Sequence, residues 1–188
     1  MWLLLFIQVC LAAAPAPLQL TPDEEKLVAS GELVVRDGGS GKITAIVDLP
    51  VSNQIVMEEI LNLQARVKEV SSIQDLHMYK READTLGAKW TVGMMGIESQ
   101  FHVLYTFDYA SGWITFRMDE SRANELKAAA GSYQTYRSNG KTRLIYRCDA
   151  SPQSAVPDWM REMLTGRAMR QQIDGIDRRS RERKTKTP

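Results

Sequence analysis

The sequence predicts one α+β domain, an antiparallel sheet of about six to seven strands closed by a long C-terminal helix. Three observations carry this. Between residues 71 and 150, apolar and polar residues alternate with a period of two, and turn signals interrupt the alternation at intervals. Between residues 51 and 70 the spacing is helical. From Val156 to Ile176 apolar residues recur three or four positions apart, as on a helix with one buried face. The chain has 188 residues, enough for one domain with a core of its own. Its 44% apolar and 25% charged content excludes bulk disorder.

Trp2–Ala14 is apolar except for Gln8 and gives way to Pro15-Ala16-Pro17. The run is shorter than the roughly 20 residues that cross a bilayer core. Residues 1–16 therefore read as a secretory signal peptide, which predicts a periplasmic or secreted protein. No Lys or Arg precedes the run, so an uncleaved N-terminal anchor is the alternative. A short helix is expected over 20–30, because Thr21-Pro22-Asp23-Glu24 combines a cap, a proline suited to the first helical position and an acid three residues after the cap. Gly31 should stop it.

Glu32–Arg36 and Lys42–Leu49 read as strands on either side of a glycine-rich turn. Val51–Asn62 and Gln64–Val70 read as short helices, with Ile55, Met57, Ile60, Leu61 and Leu63 buried. Strands are then expected at about 72–83, 88–96, 99–109, 113–120, 131–138 and 142–150. Breaks are expected at Thr85-Leu86-Gly87, Gly96, Ser111-Gly112, 120–130 and Ser138-Asn139-Gly140. The last is the strongest, since Asn-Gly suits a two-residue hairpin turn. Phe101, Val103, Tyr105, Phe107 and Tyr109 share a face, as do Ile114, Phe116 and Met118, and Leu144, Tyr146 and Cys148. Arg143 and Arg147 fall on the opposite, polar face. An apolar sheet face needs a cover. The long helix supplies it through Val156, Trp159, Met160, Met163 and Leu164, and further on through Met169, Ile173 and Ile176. Residues 176–188 are expected to be a basic disordered tail. From residue 178 onward six basic residues face one acid, so the tail carries +5 and the rest of the chain about −4. A mildly acidic body argues against a nucleic-acid partner, while the tail could touch an anionic membrane peripherally.

Motifs of known chemistry are sparse. Gly39-Ser40-Gly41-Lys42 fails the phosphate-loop pattern, which needs a glycine at Arg36 and a Ser or Thr at Ile43. His77 and His102 stand apart from each other and from Cys10 and Cys148, so no metal and no cofactor is expected. His102 reads as a surface histidine, and no G-x-S-x-G elbow accompanies it. Arg117, between Phe116 and Met118, is expected to point outward.

The element order and several local stretches resemble the START-like (helix-grip, SRPBCC) superfamily, which includes polyketide cyclases and coenzyme Q-binding proteins. Gly41–Pro50 is similar to the family's opening strand, Gly131–Asp149 to its penultimate hairpin, and Val156-Pro157-Asp158-Trp159-Met160 to the entry of its C-terminal helix. The similarity covers 31–175. Met57 and Asn62 stand where members often carry a tryptophan and an aspartate. The resemblance implies a curved sheet with an apolar cavity beneath the helix, lined by Trp90, Tyr105, Phe107, Phe116, Tyr133, Tyr146, Trp159, Met160 and Met163. It implies binding of a hydrophobic small molecule such as a lipid, an isoprenoid quinone or a polyketide, and the missing catalytic motifs make binding without catalysis the leading reading. The alternative is a polyketide cyclase or dehydratase using Tyr105, Tyr133 or Tyr146, with Arg117 if it points inward. A third reading is a ligand-free envelope interaction module with a filled core.

Overall fold

The computed structural model describes residues 18–38, 42–94, 97–125, 129–149 and 167–186. The predicted leader, the tip of the first hairpin, and Trp159, Met160 and Met163 lie outside these residues.

Helix α1 spans Pro22–Ser30. The Thr21 hydroxyl accepts from the Glu24 amide at 3.3 Å, and the Glu24 carboxylate accepts from the Thr21 amide at 2.8 Å. This capping box satisfies two amides that lack helical partners. Gly31 ends the helix at φ 92°, a left-handed conformation that favours glycine.

The sheet has eight strands among the described residues: β1 Val34–Asp37, β2 Lys42–Leu49, β3 Ile73–Arg81, β4 Thr85–Met94, β5 Ile97–Asp108, β6 Trp113–Met118, β7 Ala130–Ser138 and β8 Lys141–Asp149. All neighbours are antiparallel, in the order β1-β2-β8-β7-β6-β5-β4-β3. Between β2 and β3 run α2, Asn53–Leu61, then a single 3₁₀ turn at Leu63–Ala65 and α3, Arg66–Glu69. The Asn-Gly turn forms as expected, with Asn139 at φ 48° and Gly140 at φ 77°, and Ser138 pairs with Lys141. The break expected at Thr85-Leu86-Gly87 lies three residues earlier, and those residues belong to β4. Gly87 is not a turn glycine. A Cβ there would stand 2.6 Å from the ring of Tyr79, which lies across it from β3.

The inner face carries the main core. Ala45, Val47, Leu76, Ala88, Ile114 and Leu144 meet Met57 and Ile60 of α2 and Met169, Ile173 and Ile176 of the last helix. Helix α4 is described over Arg167–Lys186, so residues 176–186 are helical and the expected disordered tail is corrected. The reason is electrostatic. Arg178 and Arg179 pair with Glu69, Arg179 with Glu59, and Arg183 with Glu58 and Glu59, all acids of α2 and α3. The basic end of the chain thus docks on the acidic body.

The outer face has a smaller apolar cluster of Val28, Val34, Ile46 and Ile145, with Leu18, Leu20 and Tyr136 at its margin. Helix α1 covers this part of the sheet. Arg143, expected on a polar face, is only 6% exposed beneath it. Its guanidinium donates to Asp48 at 2.8 and 2.9 Å and to Glu25 of α1 at 2.6 and 2.8 Å.

Candidate functional site

A cavity of about 100 Å³ lies between the inner face of the sheet, α3 and the start of α4. Its walls are mostly side chains of alternate strand positions. Trp90 comes from β4, Phe101, Val103 and Tyr105 from β5, Phe116 from β6, Tyr133 from β7, and Tyr146 and Cys148 from β8. The period-two pattern aims them all to one side. Met169 and Gln172 close the cavity from α4, and Arg66 of α3 and Val70 just after it close it from the other side.

The sheet register sets the ring cluster. Phe116 pairs with Tyr105 on one side and with Gly131 on the other, and Tyr133 pairs with Tyr146. The ring centroids of Tyr133 and Tyr146 are 4.8 Å apart, and Phe116 stacks on Tyr146 at 6.1 Å and 13°. Gly131 makes room for this, because a Cβ there would meet Phe116 at 2.2 Å and the Arg147 carbonyl at 2.3 Å.

Arg66 is the main feature that sequence reasoning missed. It is 4% exposed, and its guanidinium carbon lies 5.6 Å from the Tyr133 ring centroid and 5.9 Å from those of Trp90 and Tyr105. One Nη donates to the Ile60 carbonyl at 2.6 Å, while Nε is buried without a hydrogen-bond partner. No carboxylate forms an ion pair with Arg66 among the described residues. A signal existed: Met57, Ile60, Leu63, Arg66 and Val70 follow one another at helical spacing, and all five are buried.

Burial works against the Arg66 charge, but Tyr133, Tyr105 and Tyr146 more than offset it and raise its pKa above the ordinary arginine value. Burial in turn raises the phenols of Tyr105, Tyr133 and Tyr146, so all three keep their protons at neutral pH. Burial also raises the Cys148 thiol. Gln172 of α4 donates to the Tyr133 hydroxyl. Asp149 is the one carboxylate among the described lining residues, and it sits exposed at the rim. The site thus offers a fixed cation, neutral hydroxyls and aromatic faces, with no buried general base among the described residues.

Of the residues expected to line a cavity, Trp90, Tyr105, Phe116, Tyr133 and Tyr146 do so. Phe107 does not. It is two positions beyond Tyr105, toward the β5–β6 turn, and packs edge-on against Tyr109 at 5.6 Å. Trp159, Met160 and Met163 fall outside the described residues. Arg117 is exposed and faces away from the cavity. His102 is half-buried on the outer face, its ring edge-on to Tyr79 at 5.5 Å and Nδ1 3.1 Å from the Ala123 carbonyl.

Solved structures share this arrangement of sheet and helices. An aromatase/cyclase from a Streptomyces species superposes with a TM-score of 0.61 at 15% identity, over 80% of this chain and 96% of that one. A STAR-related lipid transfer protein from Xanthomonas axonopodis gives 0.61 at 15%, over 79% and 92%. The chain has the START-like helix-grip fold. A major latex-like protein from Panax ginseng shares it at a TM-score of 0.53 and 12% identity, over 74% of this chain and 96% of that one. No family model and no curated protein sequence matches the chain.

Proposed function

We propose that the protein binds a hydrophobic small molecule in the cavity beneath α4, without chemical conversion. The observation that carries this is the wall of Trp90, Phe101, Tyr105, Phe116, Tyr133 and Tyr146, which places aromatic faces around an unfilled space. Apolar surface transferred from water into such a space contributes roughly 25 cal/mol per Å². The solved structures with this fold include a STAR-related lipid transfer protein, which supports the reading. At about 100 Å³ the space is smaller than the roughly 300 Å³ at which drug-sized sites begin. A ligand larger than a ring or a short chain therefore requires α4 to move, and α4 acts as the lid. Native mass spectrometry of gently purified protein, followed by titration with fatty acids, quinones and aromatic polyketides, is the test. A bound hydrophobic molecule is expected. Protein that emerges empty and binds none of the panel would leave an interaction module with a filled core as the better reading.

A second reading, a cyclase or dehydratase, is favoured by one observation. The hydroxyl-bearing rings of Tyr105, Tyr133 and Tyr146 line the same cavity, and all remain protonated donors. Such donors can orient and polarise a keto group, and positioning alone accelerates cyclisation. Turnover of a poly-keto substrate that falls in each Tyr→Phe variant supports it, whereas unchanged turnover in all three removes it.

A further inference from the structure

We propose that the cavity recognises the anionic end of its ligand through Arg66, so that the preferred ligand is a hydrophobic acid with its carboxylate, or an equivalent enolate, against the guanidinium. This rests on the reading of the cavity as a ligand site and assigns the polarity of that ligand.

The case begins with the cost of the residue. Removing a guanidinium from water costs several kcal/mol unless a counter-charge and hydrogen bonds replace the lost hydration. Here the replacement is incomplete. Three ring faces surround Arg66, and cation–π contacts offset part of the cost. The Ile60 carbonyl takes one donor and the Tyr133 and Tyr105 hydroxyls stand against the guanidinium as neutral partners, but Nε stays buried with none. Glu69, on the same helical turn, is committed to Arg178 and Arg179. Asp149 is solvated at the rim.

Other arginines of the chain show what a settled one looks like. Arg143, equally buried, meets two carboxylates, and Arg179 meets two as well. Arg66 alone, among the described buried arginines, faces a cavity rather than an acid. A planar carboxylate matches a guanidinium edge and supplies both charge and acceptors. The phenols of Tyr133 and Tyr105 stand beside the guanidinium as further donors to the same anion. The aromatic wall then receives the adjoining carbons.

Calorimetric titration of the full chain at neutral pH tests this with octanoic acid and naphthoic acid, each against its primary alcohol and methyl ester. The acids are expected to bind at least about tenfold tighter than their neutral counterparts, the usual scale of a charge-assisted hydrogen bond. Arg66→Gln should level acid and ester, and Arg66→Lys should keep part of the preference. Because Arg66→Gln could fail to fold, the Nε–H resonance of Arg66 is followed in the wild-type protein. It should shift with the acids and not with the alcohols. Equal affinity of wild-type protein for acid and ester, or an Nε–H resonance indifferent to the acids, overturns the assignment while leaving the cavity a ligand site. If neither acids nor neutral compounds bind, the cavity reading fails and the assignment falls with it.

Discussion

A carboxylate oxygen of Glu69 lies against the backbone of Gly175, 2.2 Å from where a Cβ at that position would stand. Glu69 cannot simply turn aside, since Arg178 and Arg179 hold it. In an ordinary helix interior, glycine to alanine stabilises by about 1 kcal/mol. Here Gly175→Ala is expected to destabilise by about 1–2 kcal/mol through the displaced ion pairs. In a Glu69→Ala background the same change should stabilise, which a double-mutant cycle of urea unfolding curves would read directly.

Arg143 is held between Asp48, 1% exposed, and Glu25 of α1. Arg143→Ala leaves Asp48 charged and unpartnered inside the protein, a loss of about 3–5 kcal/mol. Replacing both members, as in Arg143→Met with Asp48→Leu, should recover most of it. Denaturant midpoints of the two variants provide the comparison, and equal loss in both would contradict the account.

Acid should release α1 before it unfolds the sheet. The Arg36 hydrogen bonds lower Glu24 from the ordinary 4.5 to about 2, and those from Arg143 lower Glu25. A depressed carboxylate stabilises the folded state fully above its unfolded pKa, and that contribution disappears as pH falls through the folded value. Docking of α1 is therefore constant above about pH 5 and weakens between there and about pH 2. Hydrogen exchange, corrected for the intrinsic pH dependence, should show residues 22–30 losing protection in acid while β5 and β8 keep theirs.

Gly140 sits at φ 77° with open space where a Cβ would go. Gly140→Ala therefore meets no neighbour, and its cost is the left-handed backbone alone, about 1–2 kcal/mol. Asn139→Gly, at φ 48°, should leave stability nearly unchanged. Thermal unfolding of the two variants separates them.

Much of the fold was legible because local chemistry and long-range packing agree along the chain. The capping box at Thr21 and Glu24, the full extent of β2 and the Asn139-Gly140 turn each need only neighbours in sequence. Misreadings came where a distant partner decides. Gly87 looks like a turn glycine until Tyr79 is laid across it. Residues 176–186 look like a solvated tail until Glu58, Glu59 and Glu69 are brought alongside. Strand alternation put Tyr105, Phe116 and Tyr146 on one face and the family resemblance supplied the cavity beneath it, whereas Phe107 obeyed the alternation and still fell outside, because periodicity gives a face and not a position along it. Arg66 escaped because a charged residue in a short, charge-rich helix ordinarily faces water.

Helix α3 is only four residues long, and it begins with Arg66 and ends with Glu69. One end faces the cavity and the other holds the arginines of α4. A single turn cannot tilt at Glu69 and stay fixed at Arg66, so seating of the last helix and placement of the guanidinium share one free energy. Linkage then runs both ways. An occupant small enough to fit beneath the seated α4 and to draw Arg66 into place would tighten that seating, and salt strong enough to loosen the arginines of α4 would weaken the occupant's hold.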